Sequence, residues 1–205
     1  MMIKIAILGD IGSGKSFVAR TFGYPVFNAD KEVSKLYKSE KKIFIKLKKK
    51  LPNLIFSFPI NKKEITKAIL SNNSNLKKIV KIVHPEIQKK MKLFIKKNKN
   101  KKIVILDIPL LLENKINHKN DVLIFIKSKK LEILKRLKRR ENFNYKLLKK
   151  FKNIQLPLDY KKNKADFVIK NDFTKKTLKK SIKLILKKIL NERNSFRHRN
   201  HRYIY

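Results

Sequence analysis

The sequence predicts an α/β fold of three layers, a parallel β-sheet with helices packed on its faces. Three observations carry that expectation. Short apolar, β-branched runs alternate with segments of helical period, the order that builds parallel sheets. The runs are apolar without a polar alternation, as strands covered on both faces are. The first of them leads directly into a glycine-rich turn and then a helix.

The elements follow in order. "IKIAIL" (3–8) is the first strand, and "SFVARTFG" carries Phe17, Val18 and Phe22 on one helix ending near Gly23. "PVFNAD" (25–30) is a second short strand with polar residues at its C-terminal end. From 31 to 100 apolar residues recur at three and four, as at Leu36, Ile43 and Leu47, then Ile79, Ile82, Val83, Ile87 and Met91. These are amphipathic helices with lysine-rich outer faces. "LPNLIFSFPINKK" (51–63) interrupts them as a loop, and Pro85 in "VHPEI" suggests a helix start. "KIVILDIPLLLE" (102–113) returns to strand and "DVLIFIK" (121–127) is another. Residues 129–155 are helical and dense in cations, "ADFVIKN" (165–171) is the last strand, and 174–190 is a final amphipathic helix. Residues 191–205 lack periodicity and are expected to be a frayed, disordered basic tail.

Composition narrows the function classes. The 205 residues carry 55 Lys+Arg against 15 Asp+Glu, a formal charge of +40. The lysines are spread along the whole chain and keep company with Ile and Asn, the pattern of compositional drift. A dedicated nucleic-acid patch would be local, so no specific nucleic-acid partner is expected. Cysteine is absent, which excludes disulfides, thiolate metal sites and a catalytic thiol. "MIKIAIL" is too short for a signal peptide and no apolar run approaches a bilayer span. A soluble cytoplasmic protein is expected.

The chain holds only 4 glycines, yet three of them fall within "GDIGSGKS" (9–16). Gly9, Gly14, Lys15 and Ser16 satisfy G-x-x-x-x-G-K-[ST]. Backbone N–H groups must point inward at a phosphate there, and Cβ atoms would obstruct the turn. Lys15 then reaches the β- and γ-phosphates of a nucleotide, and the Ser16 hydroxyl ligates Mg²⁺. Asp107, at the end of a strand, holds Mg²⁺ through water, orients the nucleophile, or caps a helix. Asp30, also at a strand end, accepts a proton from an attacking hydroxyl or serves as an N-cap. Arg136, Arg139 and Arg140 form a phosphoryl clamp or a solvated charged face. His84 is a structural histidine or a substrate contact.

"GDIGSGKS", "NAD" (28–30), "HPEI" (84–87), "LDIPLLLE" (106–113), "LKRLKRR" (134–140), Gln155 and "ADFVIKN" together resemble the dephospho-CoA kinases in order and spacing over residues 3–190. The resemblance implies a P-loop kinase core with a five-stranded parallel sheet (1–30, 101–128 and 158–190), a helical acceptor domain (31–100) and a small lid (129–157). It implies ATP and Mg²⁺, transfer of the γ-phosphoryl to the ribose 3′-hydroxyl of dephospho-CoA, and a monomer or weak oligomer. Asp30 then matches the catalytic aspartate, working with Lys15 and Arg140. ATP falls to Gly9, Ile11, Gly12, Ser13, Gly14, Lys15, Ser16, Phe17, Arg136, Arg140 and Asn171, the last near adenine. The acceptor falls to Asp30, His84, Asp107, Pro109, Leu110, Leu111 and Glu113. Another P-loop kinase, acting on a nucleoside monophosphate or small metabolite, and a nucleic-acid-binding NTPase are the alternatives. The chain departs from the family's usual pattern at Asp10, Asn28 and Phe17, and Lys62 or Lys63 stands for an acceptor-domain arginine.

Overall fold

A computed structural model describes residues 2–141, 143–191 and 203–204. The chain divides into two compact units: Met1–Phe27, Asn98–Phe143 and Ile154–Tyr205 form the first, and Asn28–Lys97 with Asn144–Asn153 the second. The segment expected as a separate lid, 129–157, is thus divided. Helix α6 (Lys130–Lys138) lies in the first unit and α7 (Tyr145–Asn153) in the second.

The first unit is built on strands β1 (Ile3–Gly9), β2 (Val26–Asn28, whose last residue falls in the second unit), β3 (Ile103–Asp107), β4 (Val122–Lys127) and β5 (Phe167–Lys170). Their order is β2-β3-β1-β4-β5, and β1 pairs in parallel with both β3 and β4. The five expected strands are all present. A sixth, β6 (Tyr203–Ile204), adds in parallel to the edge of β5. Two residues of the expected disordered tail therefore have regular structure, and the edge backbone of β5 supplies their partners. Positions 192–202 and 205 lie outside the described residues.

Alternation along β1 sends Ile5 and Ile7 to one face, where they pack in a single core with Val18 and Ala19 of α1 (Lys15–Thr21), its C-cap Phe22 and the apolar stripe of α9 (Lys175–Asn191). Burying each of the Ile, Val and Phe side chains contributes roughly 1.5–3 kcal/mol. Ala6 and Leu8, also buried, alternate to the opposite face. Helix α8 (Leu158–Lys164), too short to show a helical period in the sequence, contacts β1 and β4.

The second unit is helical: α2 (Ala29–Ser39), α3 (Lys41–Lys50) and α4 (Lys62–Ser71) pack against the 25-residue α5 (Asn73–Lys97), and α7 packs against α4. Residues 51–61 form a loop, two residues shorter than the expected 51–63 because Asn61 caps α4 and starts it at Lys62. It is organised by buried Glu64, whose carboxylate accepts the N–H groups of Phe56 and Ser57 and the Ser57 hydroxyl. Burial pushes the Glu64 carboxyl up, but these donors outweigh it and hold the group below the usual carboxylate range. The Lys150 ammonium donates to the carbonyls of Ile69 and Leu70 in the last turn of α4.

The expectation of a helix start at Pro85 is overturned: α5 runs through it. Proline in a helix interior costs about 3 kcal/mol. Ile79, Val83, Ile87 and Met91 form one buried stripe on both sides of it, and their burial outweighs that cost.

Candidate active site

Parallel strands bring their C-terminal ends to one edge of the sheet. Gly9 of β1 lies in register with Ile126, one residue before the end of β4, and Ala6 with Leu106, one residue before Asp107. Asn171 follows the end of β5 and donates its backbone N–H to the carbonyl of Lys127. The loop 9–16, Asp107 and Asn171 are therefore gathered at that edge.

Regular structure fixes the loop at both ends, since Gly9 closes β1 and Lys15 opens α1. Gly14 is the N-cap of α1 with φ 89°. A Cβ on it would lie 2.4 Å from Nδ2 of Asn171 and 3.0 Å from the ring of Phe173. Glycine is required there both by the left-handed backbone and by the space. Gly12 admits α6 closely: a Cβ there would sit 2.9 Å from Cγ of Leu137. The carbonyl of Ser13 accepts from the Asn171 amide at 2.8 Å and from the Ser128 hydroxyl at 3.0 Å. Ile11 donates its N–H to Oδ1 of Asp10 at 2.7 Å, so this unusual carboxylate is engaged by the loop itself.

Lys15 is buried, and its ammonium donates to the carbonyls of Gly9 at 3.2 Å and Asp10 at 2.7 Å. A compact cation is thereby stored against the loop, at the place where a bound polyanion needs it. Ser16 is the second residue of α1 and Phe17, half-buried, packs against the sheet core. Asp107 is the last residue of β3 and buried. Among the described residues no three His, Cys, Asp or Glu cluster to hold a metal. A hydroxyl and one carboxylate fit Mg²⁺, which keeps waters and phosphate oxygens as most of its ligands.

The other candidates are placed as follows. Asp30 is exposed in the first turn of α2, whose N-cap is Asn28, accepting the Lys31 N–H at 2.8 Å. The capping role left open for Asp30 thus belongs to Asn28. His84 lies in mid-α5; its Nε2 is buried with no hydrogen-bond partner among the described residues, and burial lowers its pKa. Pro109 and Leu110 are half-buried in the turn after β3, and Leu111 is buried. Glu113 is committed within its own unit: it pairs with the Lys161 ammonium at 2.5 Å and accepts the Leu156 N–H at 3.1 Å. The amide of Asn171 is likewise committed to Ser13 and to the N–H of Phe173. Arg136 and Arg140 are exposed, and the Arg136 guanidinium lies 4.2 Å over the Phe173 ring. Sequence reasoning missed Ser128, Lys161 and Phe173, because each matters through a partner far along the chain.

The family model for dephospho-CoA kinase (CoaE) matches residues 3–177. The chain belongs to the dephospho-CoA kinase family. A dephospho-CoA kinase of Wolbachia sp. subsp. Brugia malayi is 34% identical over 187 residues, covering 89% of this chain and 95% of that relative. The structure is similar to TT1252 from Thermus thermophilus, with TM-score 0.70, 24% identity and coverage of 92% and 98% of the two chains. It is also similar to the dephospho-CoA kinase from Campylobacter jejuni, with TM-score 0.57, 24% identity and coverage of 91% and 97%. As a dephospho-CoA kinase family member the chain is a kinase, a phosphotransferase, with a P-loop kinase fold. No helix among the described residues is long and apolar enough to cross a membrane.

Proposed function

We propose that this chain is a cytoplasmic enzyme that transfers the γ-phosphoryl group of ATP to the ribose 3′-hydroxyl of dephospho-CoA, giving CoA and ADP. The observation that carries the proposal is the loop 9–16, with Lys15 stored against its carbonyls and glycine forced at position 14. The loop N–H groups and Lys15 take the β- and γ-phosphates. The Ser16 hydroxyl, with Asp107 through water, would hold Mg²⁺, which supplies charge neutralisation on those oxygens when bound. Asp30 accepts the 3′-hydroxyl proton as the new O–P bond forms and the bond to the ADP oxygen breaks. Arg136 and Arg140 compensate the charge that gathers on ADP. His84, Pro109, Leu110 and Leu111 shape the acceptor side, and Asn171 shapes the nucleotide side through Ser13.

The deciding experiment is an ADP-release assay with dephospho-CoA, AMP, CMP and UMP as acceptors. Turnover with dephospho-CoA far above the nucleotides is expected, and turnover with a nucleoside monophosphate alone overturns the assignment. Lys15→Ala is expected to lower kcat/KM by about 10²–10³-fold, the scale on which one preorganised charge donor acts in a desolvated site. Steady-state kinetics checks it.

A further inference from the structure

Phe173 is one of two non-glycine residues among those described with positive φ, at 66°. A bulky residue in the left-handed region is a true outlier and persists only where its surroundings over-determine it. Here they do. On one side, Oδ1 of Asn171 accepts the Phe173 N–H at 3.0 Å, while the amide of Asn171 is tied to Ser13. On the other, Oδ1 of Asp172 accepts the N–H and hydroxyl of Thr174, both at 2.9 Å, and the Thr177 hydroxyl at 2.7 Å. Those donors hold the Asp172 carboxyl below its ordinary range, the Thr174 N–H foremost. The strained turn is therefore clamped before and after Phe173, and the clamp is anchored in the phosphate loop.

The result of the clamp is the position of one ring. Its edge closes on Gly14, where a Cβ would come within 3.0 Å of Cε1. Its face carries the guanidinium of Arg136 at 4.2 Å. Arg136 is otherwise an exposed, many-jointed side chain on α6, with substantial rotamer freedom to lose on binding. A planar guanidinium stacks well on an aromatic face, which restricts it before any ligand arrives.

We infer that Phe173 is a positioning residue for nucleotide binding: its clamped ring holds the Arg136 guanidinium beside the phosphate loop. The inference rests on the proposal that this loop binds ATP. A solvent-accessible cation–π contact is worth a factor of about 2–5 in an equilibrium, and that sets the size of the effect.

The test measures ATP affinity by calorimetry, with Mg²⁺ and without acceptor, for wild type, Phe173→Leu, Phe173→Tyr, Arg136→Ala and the double variant Phe173→Leu/Arg136→Ala. Leucine fills space against Gly14 but offers no π face; tyrosine keeps it. Phe173→Leu is expected to weaken ATP binding about 2–5-fold, and Phe173→Tyr to retain wild-type affinity. In the Arg136→Ala background, Phe173→Leu is expected to add no further loss. Two results overturn the inference while leaving the ATP site in place: wild-type affinity in Phe173→Leu, or an equal loss from Phe173→Leu with and without Arg136. Wild-type protein that fails to bind ATP overturns the ATP site and this inference with it.

Discussion

Asp30→Asn is expected to bind ATP as the wild type does and to lose turnover with dephospho-CoA by about 10²–10⁴-fold, the contribution of a positioned general base. The substitution is close to isosteric; it removes the carboxylate's charge and with it the ability to take a proton. Its structural cost is small for a stated reason. Asp30 occupies an exposed first-turn position of α2, while the capping hydrogen bond comes from Asn28. Loss of a first-turn carboxylate at a helix N-terminus costs about 0.3–1 kcal/mol. Asn28→Ala supplies the contrast: it removes the cap, costing about 0.5–2 kcal/mol of stability, and leaves the base. Calorimetric ATP binding together with ADP-release kinetics separates the two effects. If Asp30→Asn turns over at the wild-type rate, the proton goes elsewhere and Asp30 has no chemical part.

What the sequence revealed and what it hid follow from the range of the forces involved. The phosphate loop was legible because its demands are local. Three glycines cluster where backbone must turn left-handed or admit a neighbour, and Lys15 and Ser16 follow in fixed spacing. The strands were legible because burial on both faces writes an unbroken apolar run, as in Ile103–Leu106. Pro85 misled because its local signal is a helix start, while the burial that carries α5 through it lies in tertiary contacts. The family resemblance alone puts Glu113 on the acceptor side, and it says nothing of what the side chain touches. Its carboxylate meets Lys161 and Leu156, more than forty positions away, and no spacing rule reports such a pair. Lys161 itself was invisible among so many solvated lysines. Phe173 was hidden for the same reason, since its strain and its partner Arg136 arise only when β5 and α6 are brought to the loop.

Lys161→Met is expected to destabilise the protein by about 3–5 kcal/mol, because it leaves the Glu113 carboxylate buried without its counter-charge. The pair is almost wholly withdrawn from water: the Lys161 side chain is 2% exposed and that of Glu113 9%. Inside, Glu113 has one further donor, the N–H of Leu156, which does not balance a full charge. The double variant Lys161→Met/Glu113→Leu is expected to recover most of the loss, since it buries no charge at all. Urea unfolding of the three proteins measures the coupling, and a single-variant cost below about 1 kcal/mol would mean that water reaches the pair. The location of the pair gives the loss a kinetic signature as well. Glu113 closes the turn that begins at Asp107 and contains Pro109, Leu110 and Leu111, and Lys161 pins that turn to α8 beside β1 and β4. In the proposed reaction this turn shapes the acceptor side, whereas the loop 9–16 is held separately by Asn171 and Ser128. The double variant, folded but unpinned, should therefore raise KM for dephospho-CoA more than KM for ATP.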